Sequence, residues 1–494
     1  MYSLVVLCIG LIIGLMAYFI RPGKLLLSAL SMCAVGYGAG WYFAENPSLG
    51  SMLLVYFTLF QILNIARLIE DRLHEKYLKN AFLKGGLKLV VLQAVSVGLD
   101  IAMSHFEYIS ASKVIIIAGL VGSAVILVAV LARILMSQPK GVKNYLSDKE
   151  LPSISVLVPA RNEDSDLEEL LATLVANDYP KLEILVLDDC STGKNIPEIV
   201  KKYAHGGVRF VQGDTPSENW LAKNQAYKSL YEQSSGDWLI FMGVDVRLGV
   251  SSLRAMVHYA LEHNKHMISI LPRRFNAHFW AGFASPLRYF RELVKINYNK
   301  RNTPALSTVW LISREAYEST GGMDSVARKV IPEQYFAGEL NKKKQYAFVR
   351  TNDYLQISTA KKLNEQIRTS LRVIYPSLHR RMERVALSVL FLFIFMVLPY
   401  VFSVYYFIVG QGGWQMLAVL ITCGLLTVTH ALITSLTNPI IWPLSLVNLP
   451  YAAAQEIVLS FVSMVRYEFG EVDWKGRNVC LPVMHVIPRL PKID

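Results

Sequence analysis

Two scales of hydrophobic patterning divide this chain. Towards both ends, charges vanish over long apolar runs at 2–20, 25–44, 51–66, 89–106, 114–133, 385–409 and 414–436. A helix rises about 1.5 Å per residue, so about twenty such residues cross a hydrocarbon layer of ~30 Å. The 51–66 run is short for a span and is expected to extend into the following helix. Between these regions, over 151–360, short apolar runs alternate with amphipathic ones. Strands are predicted at 154–159, 183–187, 208–211, 238–242, 267–271 and 307–312, and helices at 167–175, 220–233, 250–263, 313–320 and 333–342. Ser313 is placed to cap the fourth of these helices. Such alternation predicts an α/β sheet that takes ligands at the carboxyl ends of its strands.

Two segments have patterns of their own. Over 361–381, Leu363, Ile367, Leu371, Ile374 and Leu378 recur at helical spacing among Lys361, Lys362, Arg368, Arg372, Arg380 and Arg381. This predicts an interfacial amphipathic helix with its apolar face in lipid and its basic face towards headgroups. Over 438–466, Pro439, Pro443 and Pro450 interrupt an apolar run that also holds Glu456. Helix breakers at membrane depth predict a re-entrant or interfacial piece.

Composition agrees with a membrane protein. Of 494 residues, 53% are hydrophobic and 18% charged, with a mean hydropathy of +0.34. Soluble domains carry about 25% charged residues. A purely cytosolic enzyme, a disordered chain and a secreted disulfide scaffold are excluded. The net charge of +12 fits basic cytoplasmic loops better than a nucleic-acid partner. Arg21 and Lys24 follow the first run, and 67–88 holds Arg67, Arg72, Lys76, Lys79, Lys84 and Lys88. The loop at 45–50 has only Glu45, and 104–113 has Glu107 and Lys113. This alternation puts the N-terminus outside and the chain after residue 136 in the cytoplasm. The first run lacks the basic residues that precede the apolar core of a signal peptide.

The expected organisation follows. Residues 1–112 form an N-terminal membrane module of about four spans, and 113–136 lead into a cytoplasmic domain at 151–360. The interfacial helix at 361–381, two spans within 385–436, the 438–466 segment and a cytoplasmic tail at 467–494 complete the chain. Cys8, Cys33, Cys190, Cys423 and Cys480 form no CxxC pair and no metal-type spacing, so they read as reduced and structural.

Acidic residues follow the predicted strands. Val158-Pro159-Ala160-Arg161-Asn162-Glu163 comes after the first, Leu187-Asp188-Asp189-Cys190-Ser191-Thr192 after the second, and Gly243-Val244-Asp245 after the fourth. Trp220-Leu221-Ala222-Lys223-Asn224-Gln225-Ala226 stands between the last two. A single strand-end Asp is more often a turn former than a ligand. Four such elements in order are harder to dismiss.

In these motifs the chain resembles the family 2 glycosyltransferases. Its closest likeness is to the membrane-bound branch that glycosylates lipids, including ceramide glucosyltransferases and the hopene-associated and carotenoid-lipid glycosyltransferases. The WLAKNQA element and Trp474-Lys475-Gly476-Arg477 carry that narrower likeness, which covers about 130–480 and leaves 1–112 outside it. The resemblance implies a GT-A nucleotide-sugar domain, an α/β Rossmann-like fold inserted between transmembrane regions. It also implies an inverting, non-processive transfer from a nucleotide sugar, a UDP-sugar by the family's habit, to a lipid at the cytoplasmic face of the plasma membrane.

The resemblance also assigns roles. Pro159, Ala160, Glu163, Asp188, Asp189, Lys223 and Asp245 would bind the donor, carboxylates accepting from uracil N–H and ribose hydroxyl groups. Asp245 would hold Mg²⁺ or Mn²⁺ against the diphosphate. Arg368, Arg372, Trp474 and Arg477 are candidate contacts to the diphosphate or from the tail. Counting from Gly321-Gly322 by the family spacing brings Glu333 to the position of the general base, with Asp324 the fallback. Glu333 is equally suited to starting a helix after Pro332, and Lys223 to a solvated helix face.

Departures from the family pattern keep other readings open. Gly243 stands where the family has an aspartate, and Ala222 where it has a glycine. A catalytically degenerate binding or scaffold subunit is one alternative. A processive polysaccharide synthase is another, although Gln366-Ile367-Arg368-Thr369-Ser370 does not match the Q-x-x-R-W of such enzymes.

Overall fold

The computed structural model describes residues 24–45, 111–139, 146–193, 195–217, 219–275, 282–294, 303–410, 412–468, 472–475 and 477–479, with short helical pieces within 5–13, 50–59 and 91–97. In the middle of the chain the apolar runs become strands β1 (Ile154–Ala160), β2 (Leu182–Asp188), β3 (Val208–Gln212), β4 (Trp238–Met242), β5 (Val246–Leu248), β6 (Met267–Leu271), β7 (Arg273–Arg274), β8 (Val309–Ser313), β9 (Tyr346–Arg350) and β10 (Ile357–Thr359). Seven of them form one sheet in the order β3-β2-β1-β4-β8-β6-β9. β3, β2, β1 and β4 are parallel, and β8 runs antiparallel to both β4 and β6.

Helices cover both faces, which explains why β4, β6 and β8 are apolar without alternation. Ile154, Val156, Val158 and Ile240 pack on one side with Leu167, Leu170 and Met256. Leu157, Leu185, Leu239 and Phe241 pack on the other with Tyr227, Trp310 and Phe336. Within the second layer Phe241 stacks on Trp310 at 4.0 Å between ring centroids. Ser313 caps the Arg314–Ser319 helix as expected, its hydroxyl accepting from the Ala316 amide.

A smaller sheet, β5-β10-β7, sits at the carboxyl end of β4. Its antiparallel β5–β10 pairing sets Thr359 opposite Val246, and the Ala360 amide donates to the Asp245 carbonyl at 3.0 Å. This short ladder brings the chain after residue 359 back over Asp245.

Among the described residues four helices are long and apolar enough to cross a membrane: Lys113–Met136, Met382–Val409, Trp414–Thr437 and Trp442–Glu468. The first and third pack closely, Ile116 against Ala418 and Val419. Gly122 admits the Phe395 ring, which lies 2.5 Å from where a Cβ would stand. Within the second, a wide turn at Phe393–Val397 precedes Pro399 and accommodates its missing N–H.

The fourth helix covers most of 438–466, the segment whose prolines predict a re-entrant or interfacial piece. Ser445–Glu468 is continuous and contains Pro450. Along its length it bonds to segments that flank the sheet. Asn448 and Gln455 donate to the Phe283 and Ala284 carbonyls at 3.2 and 3.0 Å. Ser463 and Tyr467 donate to the Leu371 and Arg372 carbonyls at 2.6 and 2.7 Å. The expected lipid-facing stripe of 361–381 is covered by this same helix. Leu371 and Ile374 of the Leu363–Ser377 helix are buried with Leu459, and Ile367, Leu378 and Val462 pack around them. Amphipathicity predicted an apolar face correctly but not what would bury it.

In the N-terminal region a 22-residue helix, Lys24–Glu45, occupies the run expected at 25–44. Tyr56 donates to the Ala386 carbonyl at 2.5 Å, tying that region to the start of the Met382–Val409 helix. The runs at 2–20, 51–66 and 89–106 lie largely outside the described residues.

Candidate active site

The carboxyl ends of β1 and β4, the loop before β8 and the start of the Leu363–Ser377 helix enclose a cleft of about 690 Å³. Of the residues singled out from sequence, Pro159, Glu163, Lys223, Asp245, Arg368 and Arg372 line it. Nine basic and five acidic side chains share its walls. Arg274, Arg288 and Lys361 were not singled out from sequence; their positions depend on loop returns that no local pattern encodes. Trp474 is described only in its backbone, in a hairpin with Arg477–Asn478.

Several motif residues have partners within the protein. Asp188 is buried and accepts from both the amide and the hydroxyl of Ser191, at 3.0 and 2.6 Å. It closes the turn after β2 and is not in the cleft wall. Asp189, also buried, pairs with Arg477 at 2.6 Å. Ala160 is buried at the end of β1, its carbonyl accepting from the Asp189 amide at 2.9 Å. Arg161 binds these turns together: it donates to the Asp189 and Cys190 carbonyls at 2.7 and 2.6 Å and to the Lys475 carbonyl at 3.1 Å. Lys475, at the hairpin turn, pairs with Glu163. The WKGR tail therefore anchors on the first two strand-end turns. Burial raises the Glu163 and Asp189 carboxyls above the ordinary range even with these cations beside them.

Asp245 is reached by two elements. Its Oδ2 accepts from the Thr359 hydroxyl at 2.8 Å and lies 3.8 Å from the Lys361 ammonium. Burial pushes its carboxyl up, but Lys361 and the Thr359 hydroxyl outweigh this and hold it below the ordinary value. A hard divalent cation needs about six oxygen ligands, or a few carboxylates with water and phosphate. Here position 243 offers none, and Asp245 already has a hydroxyl and an ammonium on one oxygen. Among the described residues no three His, Cys, Asp or Glu side chains converge. The residues present do not fit the metal expected at Asp245.

Glu333 is in the first turn of the Pro332–Lys342 helix, buried, with Oε2 unpartnered. It lines a cavity of about 30 Å³ rather than the cleft; Lys223, Ser307 and Arg372 border both. Burial raises its carboxyl, opposed chiefly by Lys223, and burial lowers the Lys223 ammonium, opposed chiefly by Glu333. Asn224 of the WLAKNQA element, not picked out from sequence, is a support for this corner. Its buried amide donates to the Val326, Ala327 and Lys329 carbonyls at 2.8, 3.2 and 2.9 Å, fixing the loop that leads to Glu333. Asp324 is at the surface, paired with Lys228 at 2.7 Å.

The chain is similar to several known proteins. The family model described as Glycosyl transferase family 2 matches residues 155–321. The 4,4'-diaponeurosporenoate glycosyltransferases of Staphylococcus aureus strains bovine RF122 / ET3-1 and MRSA252 are each 24% identical over 189 residues, which is 36% of this chain and 48% of theirs. The chain thus spans about half the length of these curated relatives. Among solved structures, a mannosyltransferase of Pyrobaculum calidifontis, PcManGT, in complex with GDP-Man and Mn²⁺ aligns with a TM-score of 0.42 at 16% identity, covering 70% of this chain and 99% of that one. Staphylococcus aureus TarS in complex with UDP aligns with a TM-score of 0.32 at 19% identity, covering 65% and 92%. Residues 155–321, which hold most of the sheet and its strand-end motifs, thus match the model of one family, Glycosyl transferase family 2.

Proposed function

We infer that the protein is an inverting, non-processive glycosyltransferase that moves a sugar from a nucleotide-sugar donor, a UDP-sugar, to a membrane lipid at the cytoplasmic leaflet. One observation carries this reading: the cleft beside the strand ends is also walled by Arg274, Arg288 and the Leu363–Ser377 helix, elements that pack against the membrane-type helices. Donor and lipid acceptor can therefore meet in one place. The relatives' name, glycosyltransferases of a carotenoid acid, supports a lipid-like acceptor.

In the proposed reaction the acceptor hydroxyl attacks the anomeric carbon as the bond to the diphosphate breaks. Glu333 receives the hydroxyl proton, acting beside Lys223 after the side chains bordering both cavities move apart. Glu163 and Asp245 orient donor hydroxyl groups. No metal enters this reading. Because the Ser445–Glu468 helix bonds to the catalytic side at both ends, it is assigned to the membrane surface and the other three apolar helices to the bilayer.

Membranes containing the protein, incubated with a panel of radiolabelled nucleotide sugars, are expected to yield one labelled lipid carrying a single sugar. Labelled polymer would favour a processive synthase. A binding subunit without turnover is a second reading, favoured by Gly243 and by the position of Glu333 outside the cleft; donor binding without any product would establish it. Topology is tested separately. A cysteine replacing Asn219, in a chain otherwise free of cysteine, should resist an impermeant reagent added to intact cells.

A further inference from the structure

The cleft contains more positive charge than its carboxylates balance, and the excess is placed where the metal was expected. Lys361 follows β10 directly, and the β5–β10 ladder holds it 3.8 Å from Asp245. Arg288 and Arg372 line the same cleft from two other helices. Burial lowers all three cations, and the repulsion of Arg288 and Arg372 lowers Lys361 further, while Asp245 opposes it. Three part-buried, mutually repelling cations lining one cleft form a site for a multivalent anion.

Gly243 belongs to the same arrangement. A Cβ at this position would stand 2.6 Å from Oδ1 of Asp245. The carboxylate occupies the space that the missing side chain leaves. A side chain there would make the Asp245 carboxylate shift, and the other oxygen of that carboxylate is the one that meets Thr359 and Lys361. Glycine at 243 and lysine at 361 are two parts of one local structure.

We propose that Lys361, with Arg288 and Arg372, neutralises the donor's diphosphate in place of a divalent cation, so that this transferase binds and uses its donor without metal. The inference rests on the donor reading above. As the acceptor oxygen bonds to the anomeric carbon, the bond from that carbon to the β-phosphate oxygen breaks and its electron pair stays on the diphosphate. The added charge develops beside the three cations. The acceptor proton goes to Glu333 and then to water.

The test measures binding of UDP, GDP, ADP and dTDP to the detergent-solubilised full chain by calorimetry, in excess chelator and then in Mn²⁺ or Mg²⁺. One nucleoside diphosphate is expected to bind with a Kd unchanged within about twofold between the two conditions, and sugar transfer should persist in chelator. Lys361→Ala should weaken binding by about tenfold or more, the size of one charge-assisted contact. Lys361→Arg should restore most of it. Binding or transfer that vanishes in chelator and returns with Mn²⁺ overturns the inference and leaves the transferase intact. No binding under either condition refutes the donor reading and this inference together. The wild-type comparison needs no variant, so a Lys361→Ala protein that fails to fold does not rescue the proposal.

Discussion

The two walls of the cleft differ in how the chain uses its charges. On the wall formed by the turn after β1, which the turn after β2 backs from outside the cleft, the acids of the recognisable motifs are largely committed to structure. Asp188 closes its own turn through Ser191, Asp189 holds Arg477, and Glu163 holds Lys475. On the opposite wall, Lys361 and Arg288 come from segments without a recognisable motif, yet they supply the positive charge that a nucleotide diphosphate requires. The difference teaches that a strand-end carboxylate marks the location of a site more reliably than its chemistry. Changes on the first wall should lower stability more than turnover, and changes on the second the reverse.

The largest effect is expected beside the cleft, at Glu333. If it takes the acceptor proton, Glu333→Gln should leave the fold and diphosphate binding intact and lower transfer by about 10²- to 10⁴-fold. Glu333→Asp should retain measurable activity. Near-normal transfer to lipid by the Gln variant would remove Glu333 from the mechanism. Loss of diphosphate binding in the same variant would make it a support for Lys223.

Next is a direct comparison of the walls. Arg372→Met should raise the donor KM by about tenfold or more while leaving the unfolding midpoint nearly unchanged. Arg477→Met removes the partner of a buried carboxylate that already has one unpaired oxygen. It should lower stability by about 1–3 kcal/mol, read as an earlier thermal midpoint in detergent, with a smaller change in donor KM. Equal effects of the two variants on KM would abolish the distinction.

Sequence patterning made the scaffold legible because burial on both faces of the sheet leaves a direct record: β4 and β8 are continuous apolar runs bounded by polar turns. Glu163, Lys223 and Asp245 were legible as cleft residues because they sit within one or a few residues of strand or helix ends. Lys361 was visible only as one of several basic residues, since nothing local encodes the pairing of β10 with β5. The apolar stripe from Ile367 to Leu378 predicted a face but not its partner, because lipid and a packed helix select the same side chains. Asp188 was legible as a strand-end carboxylate but its bond to Ser191 was not, because a turn and a ribose hydroxyl group make the same demand on a carboxylate.

The pH profile of transfer should be narrower than ordinary glutamate and lysine would give. Burial raises Glu333, so the base is protonated, and activity falls, at a pH above the usual glutamate value as acid is added. Burial lowers Lys223, so its charge is lost, and donor affinity falls, below the usual lysine value as alkali is added. Lys223→Met should leave only the part of the alkaline limb that Lys361 sets, since burial lowers that ammonium too. Because Lys223 chiefly opposes the rise at Glu333, the same variant should also move the acid limb to still higher pH. An acid limb that stays in place would show that the two groups do not share a field.

The smallest effect is expected at Asp324, and it guards the assignment of the base. Its carboxylate is 65% exposed and pairs with Lys228, itself 32% exposed, at 2.7 Å. Water and salt screen such a pair, which contributes about 0–1 kcal/mol. Asp324 is also absent from the cleft and from the cavity beside it, so it has no route to an acceptor hydroxyl. Asp324→Asn should therefore change transfer by less than about twofold and stability by less than about 1 kcal/mol. Charge reversal at both partners, Asp324→Lys with Lys228→Glu, should behave like the original pair. A large loss of transfer in Asp324→Asn, with diphosphate binding intact, would mean that the loop carrying it closes over the acceptor during turnover, and the base assignment would pass from Glu333 to Asp324.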